Sequence, residues 1–135
     1  MAGYSSTPLA KKLGIKEHDR VAVINQPEYY FSLFSDLPSN IELVTDSNVK
    51  KNLIHYFTDQ ANSYLKDLPK LKKQIEQNGI IWISWPKKSS KIQTDLNENM
   101  IRDFALKNGL VDIKVCAVDE IWSGLKLVIP VKERV

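Results

Sequence analysis

The chain predicts a three-layer α/β domain, with a mostly parallel sheet of about six strands ending in an antiparallel hairpin. Three observations carry this. Short apolar runs alternate with stretches of helical spacing along all 135 residues, the arrangement of a sheet covered by helices. The run from Ile80 to Trp85 is nearly all apolar, as in a central strand buried on both faces. Leu110 to Val118 and Ile121 to Val131 are separated by a turn too short for a crossover, so they pair antiparallel.

Each element has a local reason. Ser6-Thr7-Pro8 reads as a helix start, and Leu9 to Leu13 forms a short helix stopped by Gly14. Arg20 to Asn25 is the first strand. Pro27-Glu28 opens a helix carrying Tyr30, Phe31 and Phe34, broken by Asp36 to Asn40. Ile41 to Thr45 is the second strand and Asn52 to Phe57 the third. Thr58 or Asp59 caps the next helix, whose apolar face is Ala61, Leu65, Leu68, Leu71 and Ile75. Pro69 is expected to kink or split it, and Asn78-Gly79 to end it. Pro86 to Gln93 is a loop. Asp95 with Glu98 fits a capping box for a helix through Leu96, Met100, Phe104 and Leu106, closed by Asn108-Gly109.

The length is that of one domain over residues 1–135, and 43% hydrophobic with 26% charged residues is the balance of a globular protein. No apolar run reaches the roughly 20 residues of a membrane span. The first residues lack the basic and apolar regions of a secretory leader, so a cytoplasmic location is expected. One cysteine excludes an internal disulfide framework. A net charge of +3 permits an anionic ligand but is mild for a dedicated nucleic-acid binder. Neither His18 nor His55 has a spaced partner that would make a metal motif.

The closing hairpin on a parallel sheet resembles shortened class I methyltransferase-like domains of Rossmann-like fold. Several motifs are more specific. They are Gly3-Tyr4-Ser5 with Leu9 to Ile15, Trp82-Ile83-Ser84-Trp85-Pro86-Lys87-Lys88, Thr94-Asp95-Leu96, Gly109 to Asp119, and Trp122-Ser123-Gly124-Leu125-Lys126. On these the chain resembles the uncharacterised bacterial domain of unknown function thirty fifty-two family over nearly its whole length. That resemblance implies a Rossmann-like fold and no established activity, so it transfers no catalytic residue. The family favours glycine near His18 and Tyr29, where this chain carries bulkier side chains.

In an open α/β sheet, ligands bind beyond the carboxyl ends of the strands. Trp85, Lys87, Lys88, Thr94, Asp95, Asp119, Trp122 and Ser123 are the residues this rule gathers as ligand-binding candidates. In the sharper reading, Lys87, Lys88 and Lys91 attract a small anion, helix amides after Asp95 donate to it, and a tryptophan stacks on a ring. In the plainer reading the lysines are solvated, Asp95 caps its helix and the tryptophans pack beneath the loop. Asp119 and Glu120 then solvate a turn, Cys116 is a core thiol and His55 packs in the sheet. The plainer reading is favoured.

A methyltransferase cofactor site usually has a glycine-rich loop after the first strand and an acidic residue after the second. The first loop here is Asn25-Gln26-Pro27-Glu28-Tyr29-Tyr30, without glycine, while Asp46 supplies the acidic half. S-adenosylmethionine is therefore expected to be unlikely, and no nucleotide-binding glycine motif is present. The expectation is a non-catalytic or regulatory binding module on a degenerate methyltransferase-like scaffold. The alternatives are an enzyme or sensor for a small anionic metabolite around Lys87, Lys88 and Asp95, and a protein-interaction domain. Nucleic acid ranks below small-ligand and protein partners, and no membrane partner is expected.

Overall fold

A six-stranded sheet forms the middle layer, with strand order β2-β1-β3-β4-β6-β5. The strands are β1 (Arg20–Ile24), β2 (Glu42–Leu43), β3 (Lys51–Phe57), β4 (Ile75–Pro86), β5 (Val111–Ala117) and β6 (Trp122–Val128). β1 pairs parallel with β2 and β3, and β3 parallel with β4. β6 lies antiparallel between β4 and β5. The computed structural model describes residues 7–135. The Gly3-Tyr4-Ser5 motif, Ser6 of the expected helix start and the leader assessment lie outside the described residues.

Helices α2 (Ala61–Lys72) and α3 (Glu98–Lys107) cover one face. There Ile54, Tyr56, Ile81, Ile83, Leu125 and Leu127 meet Tyr64, Leu68, Leu71, Ile101 and Ala105. The buried Tyr64 hydroxyl donates to the Ile101 carbonyl at 2.7 Å and ties the two helices together. The other face carries α1 (Leu9–Leu13) and the 26–41 segment, packed on Val21, Leu53 and Trp82. Trp82 is fully buried, and its indole N–H donates to the Leu13 carbonyl at 2.7 Å. This satisfies a polar group that would otherwise cost about 1–3 kcal/mol. Gly14 ends α1 at φ +88°, where a side chain would be strained.

Several expected elements differ. α1 has no side-chain cap from its own sequence; Ala10 and Lys11 amides instead donate to the two Asp36 oxygens, each at 3.0 Å. The expected Pro27–Phe34 helix is a short 3-10 turn over Tyr30–Leu33, because Tyr30 is drawn into the core. α2 passes unbroken through Pro69 and ends at Lys72, so Ile75 begins β4 rather than extending a helix. Asp95 does not cap α3: Asn97 does, accepting from the Met100 amide at 2.9 Å. No helix among the described residues is long and apolar enough to cross a membrane.

His55, fully buried on β3, uses both ring nitrogens. Nδ1 bonds Tyr30 Oη at 2.9 Å and Nε2 bonds Ser84 Oγ at 2.8 Å. Its ring stacks on Phe57 at 4.3 Å. Burial lowers its pKa to about 3, which keeps it neutral, and raises that of Tyr30.

Candidate functional site

The carboxyl ends of the parallel strands and the start of antiparallel β6 share one rim, since Pro86 is register partner to Trp122. The strand order reverses between β1 and β3: β1 leads outward to β2, whereas the chain after β3 continues to β4 on the other side. A sheet of this kind opens a crevice at that reversal. Here it is a depression of about 320 Å³ with Asn25, Thr58, Asp59, Gln60, Ser63 and Trp122 among its lining residues. Phe57 forms its apolar floor, edge-on to the Trp122 ring at 5.1 Å.

Asn25 explains how the first loop turns without glycine. Its φ is +59°, the left-handed region that asparagine enters more readily than other non-glycine residues. Beyond it, Tyr29 reaches across the rim and donates its hydroxyl to Asp119 Oδ2 at 2.7 Å. Tyr30 turns inward to His55 and does not plug the rim. Asp119 is 7% exposed. Its Oδ1 accepts from the Ile121 and Trp122 amides at 2.8 and 2.7 Å. The expectation that it solvates a turn is corrected: it holds the turn that aims Trp122 at the crevice.

Two more depressions continue along the rim. One of about 320 Å³ lies among Asp59, Gln60, Gln93, Thr94 and Asp95. The next, about 710 Å³, is bounded by Trp85, Lys88, Thr94, Asp95 and the start of α3. Shared residues link each to its neighbour. The wall between them is pinned by two hydrogen bonds. Asp95 Oδ1 accepts from the Ala61 amide at 2.7 Å, and Thr94 Oγ1 donates to the Asp59 carbonyl at 2.7 Å. Asp95 is thus the cap of α2, a role invisible to spacing because the two residues are 34 positions apart.

All eight candidates lie at this rim, in two groups. Trp85, Lys88, Thr94 and Asp95 border the largest of these three depressions. Asp119, Trp122 and Ser123 belong to the β5–β6 end, and Lys87 joins the groups through its amide bond to the Ile121 carbonyl at 2.8 Å. Trp85 is 7% exposed and packs with Leu96. Of the α3 amides expected to receive an anion, those of Met100 and Ile101 are engaged by Asn97. Asp46 does not supply the acidic half: its carboxylate accepts from the Asn48 amide at 2.8 Å. Its carbonyl meets Lys51 Nζ at 2.6 Å, toward the opposite edge of the sheet. Sequence reasoning missed Gln60 and Ser63, which become legible only once α2 is placed one residue after Gln60. No group of three or more metal-ligating side chains occurs among the described residues.

This order and rim define a Rossmann-like, methyltransferase-like α/β fold. No protein-family model and no curated protein matches the chain. Solved structures do. A ribosomal protein L11 methylase from Lactobacillus delbrueckii subsp. bulgaricus aligns with TM-score 0.56 at 14% identity, over 89% of this chain and 74% of that one. Aeropyrum pernix fibrillarin, with natively bound S-adenosyl-L-methionine, aligns at 0.58 and 14%, over 89% and 73%. Magnesium protoporphyrin IX methyltransferase from Synechocystis, with bound SAH, aligns at 0.59 and 10%, over 85% and 75%.

These likenesses correct two expectations. The non-catalytic module, with its metabolite-sensor and interaction-domain alternatives, is not carried forward, because the solved structures that share this fold include a methylase and a methyltransferase. S-adenosylmethionine, set aside for want of a glycine loop, becomes plausible, because neighbours with this fold hold it or SAH. The first loop turns without glycine at Asn25, φ +59°, and Tyr30 packs inward on His55 and does not obstruct the rim.

Proposed function

We propose that the chain is a small S-adenosylmethionine-dependent methyltransferase whose cofactor occupies the crevice between β1 and β3. The observation that carries this is an open polar depression at the strand-order reversal of a methyltransferase-like sheet. The lining chemistry fits the cofactor. Asp59 offers a carboxylate to its ammonium group, and Asn25, Gln60 and Ser63 offer amides and a hydroxyl to its carboxylate and ribose. The Trp122 face suits a cationic or ring-bearing ligand. The bound cofactor supplies an electrophilic methyl group; the chain's part is to bind, orient and exclude water. The larger depression beside Trp85 and Lys88 takes the methyl acceptor. Membership of the uncharacterised family whose motifs the chain resembles, and a cytoplasmic location, belong to the same proposal.

Calorimetric titration and thermal denaturation with S-adenosylmethionine and S-adenosylhomocysteine test it. A ligand at tenfold its Kd stabilises by about 1.4 kcal/mol, or roughly 5 °C for a domain of this size. Ser63→Trp, which fills the crevice, should weaken binding at least tenfold while leaving the free protein's Tm within about 2 °C. Absence of heat and of any Tm shift at millimolar ligand would sink the proposal.

A further inference from the structure

The α1 face of the sheet is covered only in part. Across one row of that face stand Val23, His55, Trp82, Lys126 and Lys114, each the register partner of the next. α1 closes over Trp82. α3 covers β5 from the opposite side. Lys126 and Lys114 therefore lie side by side on an open strip, half-buried and exposed respectively.

Their opposition is built by a β-bulge. β5 pairs Asp112 with Leu127 and then Lys114 with Lys126, so Ile113 is the extra residue. A bulge re-aims the side chains that follow it. Asp112 faces α3, where it accepts from Arg102 Nε at 2.9 Å. Lys114 is turned to the other face, opposite a second lysine. Like charges directly opposed across strands are destabilising, and here no carboxylate relieves them. None of Lys16, Lys114 and Lys126 has an ion-pair partner among the described residues.

More positive charge surrounds the pair. Lys12 Nζ donates to the Ala117 carbonyl at 3.2 Å, over the far end of β5. Burial first, then Lys114 and Lys16, lowers the pKa of Lys126. The net charge of +3 is mild for the whole chain, but this strip concentrates lysines from α1, the α1–β1 turn, β5 and β6. Along β6 the strip leads from Lys126 to Trp122, four residues or about 13 Å away on the same face. A half-buried aromatic ring at the end of a cationic track is the pairing of features that holds single-stranded nucleic acid: amines on phosphates, a ring for a base.

We infer that the open β5–β6 strip, built by Lys114 and Lys126 opposed across the bulge with Lys12 and Lys16 beside them, binds the phosphodiester backbone of a single-stranded nucleic acid. The four lysines lie outside the cofactor crevice, which the strip meets only at Trp122, and their contact with phosphates stands whether or not that crevice binds S-adenosylmethionine.

Fluorescence anisotropy with labelled single-stranded RNA and DNA oligonucleotides of about 20 nucleotides, across a salt series, tests it. Lys114→Gln with Lys126→Gln removes two phosphate contacts, so the log–log salt slope should fall by about 1.4 and affinity at least tenfold. The same variant should keep or raise its Tm, since it removes a repulsion. Lys114→Arg with Lys126→Arg should retain binding. Lys66→Gln with Lys70→Gln, the same charge change on exposed α2 positions, should leave binding within about twofold. Preference between the RNA and DNA probes assigns the source of the backbone. No binding to either, an unchanged slope in the Lys114/Lys126 variant, or an equal loss in the Lys66/Lys70 control would overturn the inference. So would lysine-dependent binding to phosphatidylserine vesicles with none to oligonucleotides, which would make the strip a membrane-surface contact.

Discussion

Acidification should destabilise this protein through His55, and the size of the effect follows from its burial. The ring is fully buried with both nitrogens bonded to hydroxyls, and its pKa is lowered from 6.5 to about 3. Below pH 6.5 the unfolded chain takes up a proton that the folded one refuses. Stability therefore rises with pH between about 3 and 6.5, is fully present above 6.5, and is lost as pH falls. Each pH unit in the window is worth about 1.4 kcal/mol, so the loss is roughly 3 kcal/mol by pH 4.5 and approaches 5 kcal/mol near pH 3. Urea unfolding at several pH values measures it in the natural chain. The comparison is a triple variant, Tyr30→Phe with His55→Phe and Ser84→Ala, which removes all three polar groups and strands none. Its stability between pH 6.5 and 4.5 should be flatter by that same roughly 3 kcal/mol, whatever its absolute value. Equal slopes in the two proteins would refute the reasoning.

Two further outcomes are expected. Asp119→Ala loses three hydrogen bonds to a buried carboxylate and should cost about 3–4 kcal/mol, near 10 °C in Tm, against about 1 kcal/mol for Tyr29→Phe; a loss under 1 kcal/mol for Asp119→Ala would show that the turn holds without it. Asp95→Ala and Asn97→Ala uncap different helices and should each cost about 1 kcal/mol, with hydrogen exchange quickening at the start of α2 in the first and of α3 in the second.

The strands were legible because their burial is written in local pattern. Ile80 to Trp85 reads as a central strand and is one, and the closing hairpin follows from the shortness of its turn. What escaped was set by partners distant in sequence. Asp36 caps α1 from 26 residues away, and Asp95 caps α2 from 34. No propensity of Tyr30 foretold that its ring would leave a helix for the core, where Phe31, Phe34, Phe57 and His55 receive it, the last also through Nδ1. The rim itself was foreseen from the general behaviour of open sheets, and all eight candidates reached it. The bulk of Tyr30 was counted against the first loop, yet its ring leaves the rim for the core, and Asn25 turns that loop at φ +59° without glycine.

Thr94 and Asp95 fasten their loop to the mouth of α2, and the same short stretch forms the partition between adjoining chambers. A partition cannot be displaced into one room without enlarging the other. The wall of the depression beside Trp85 is thus tied by a carboxylate to the first turn of the helix that carries Ser63, and by a hydroxyl to the residue two before that helix.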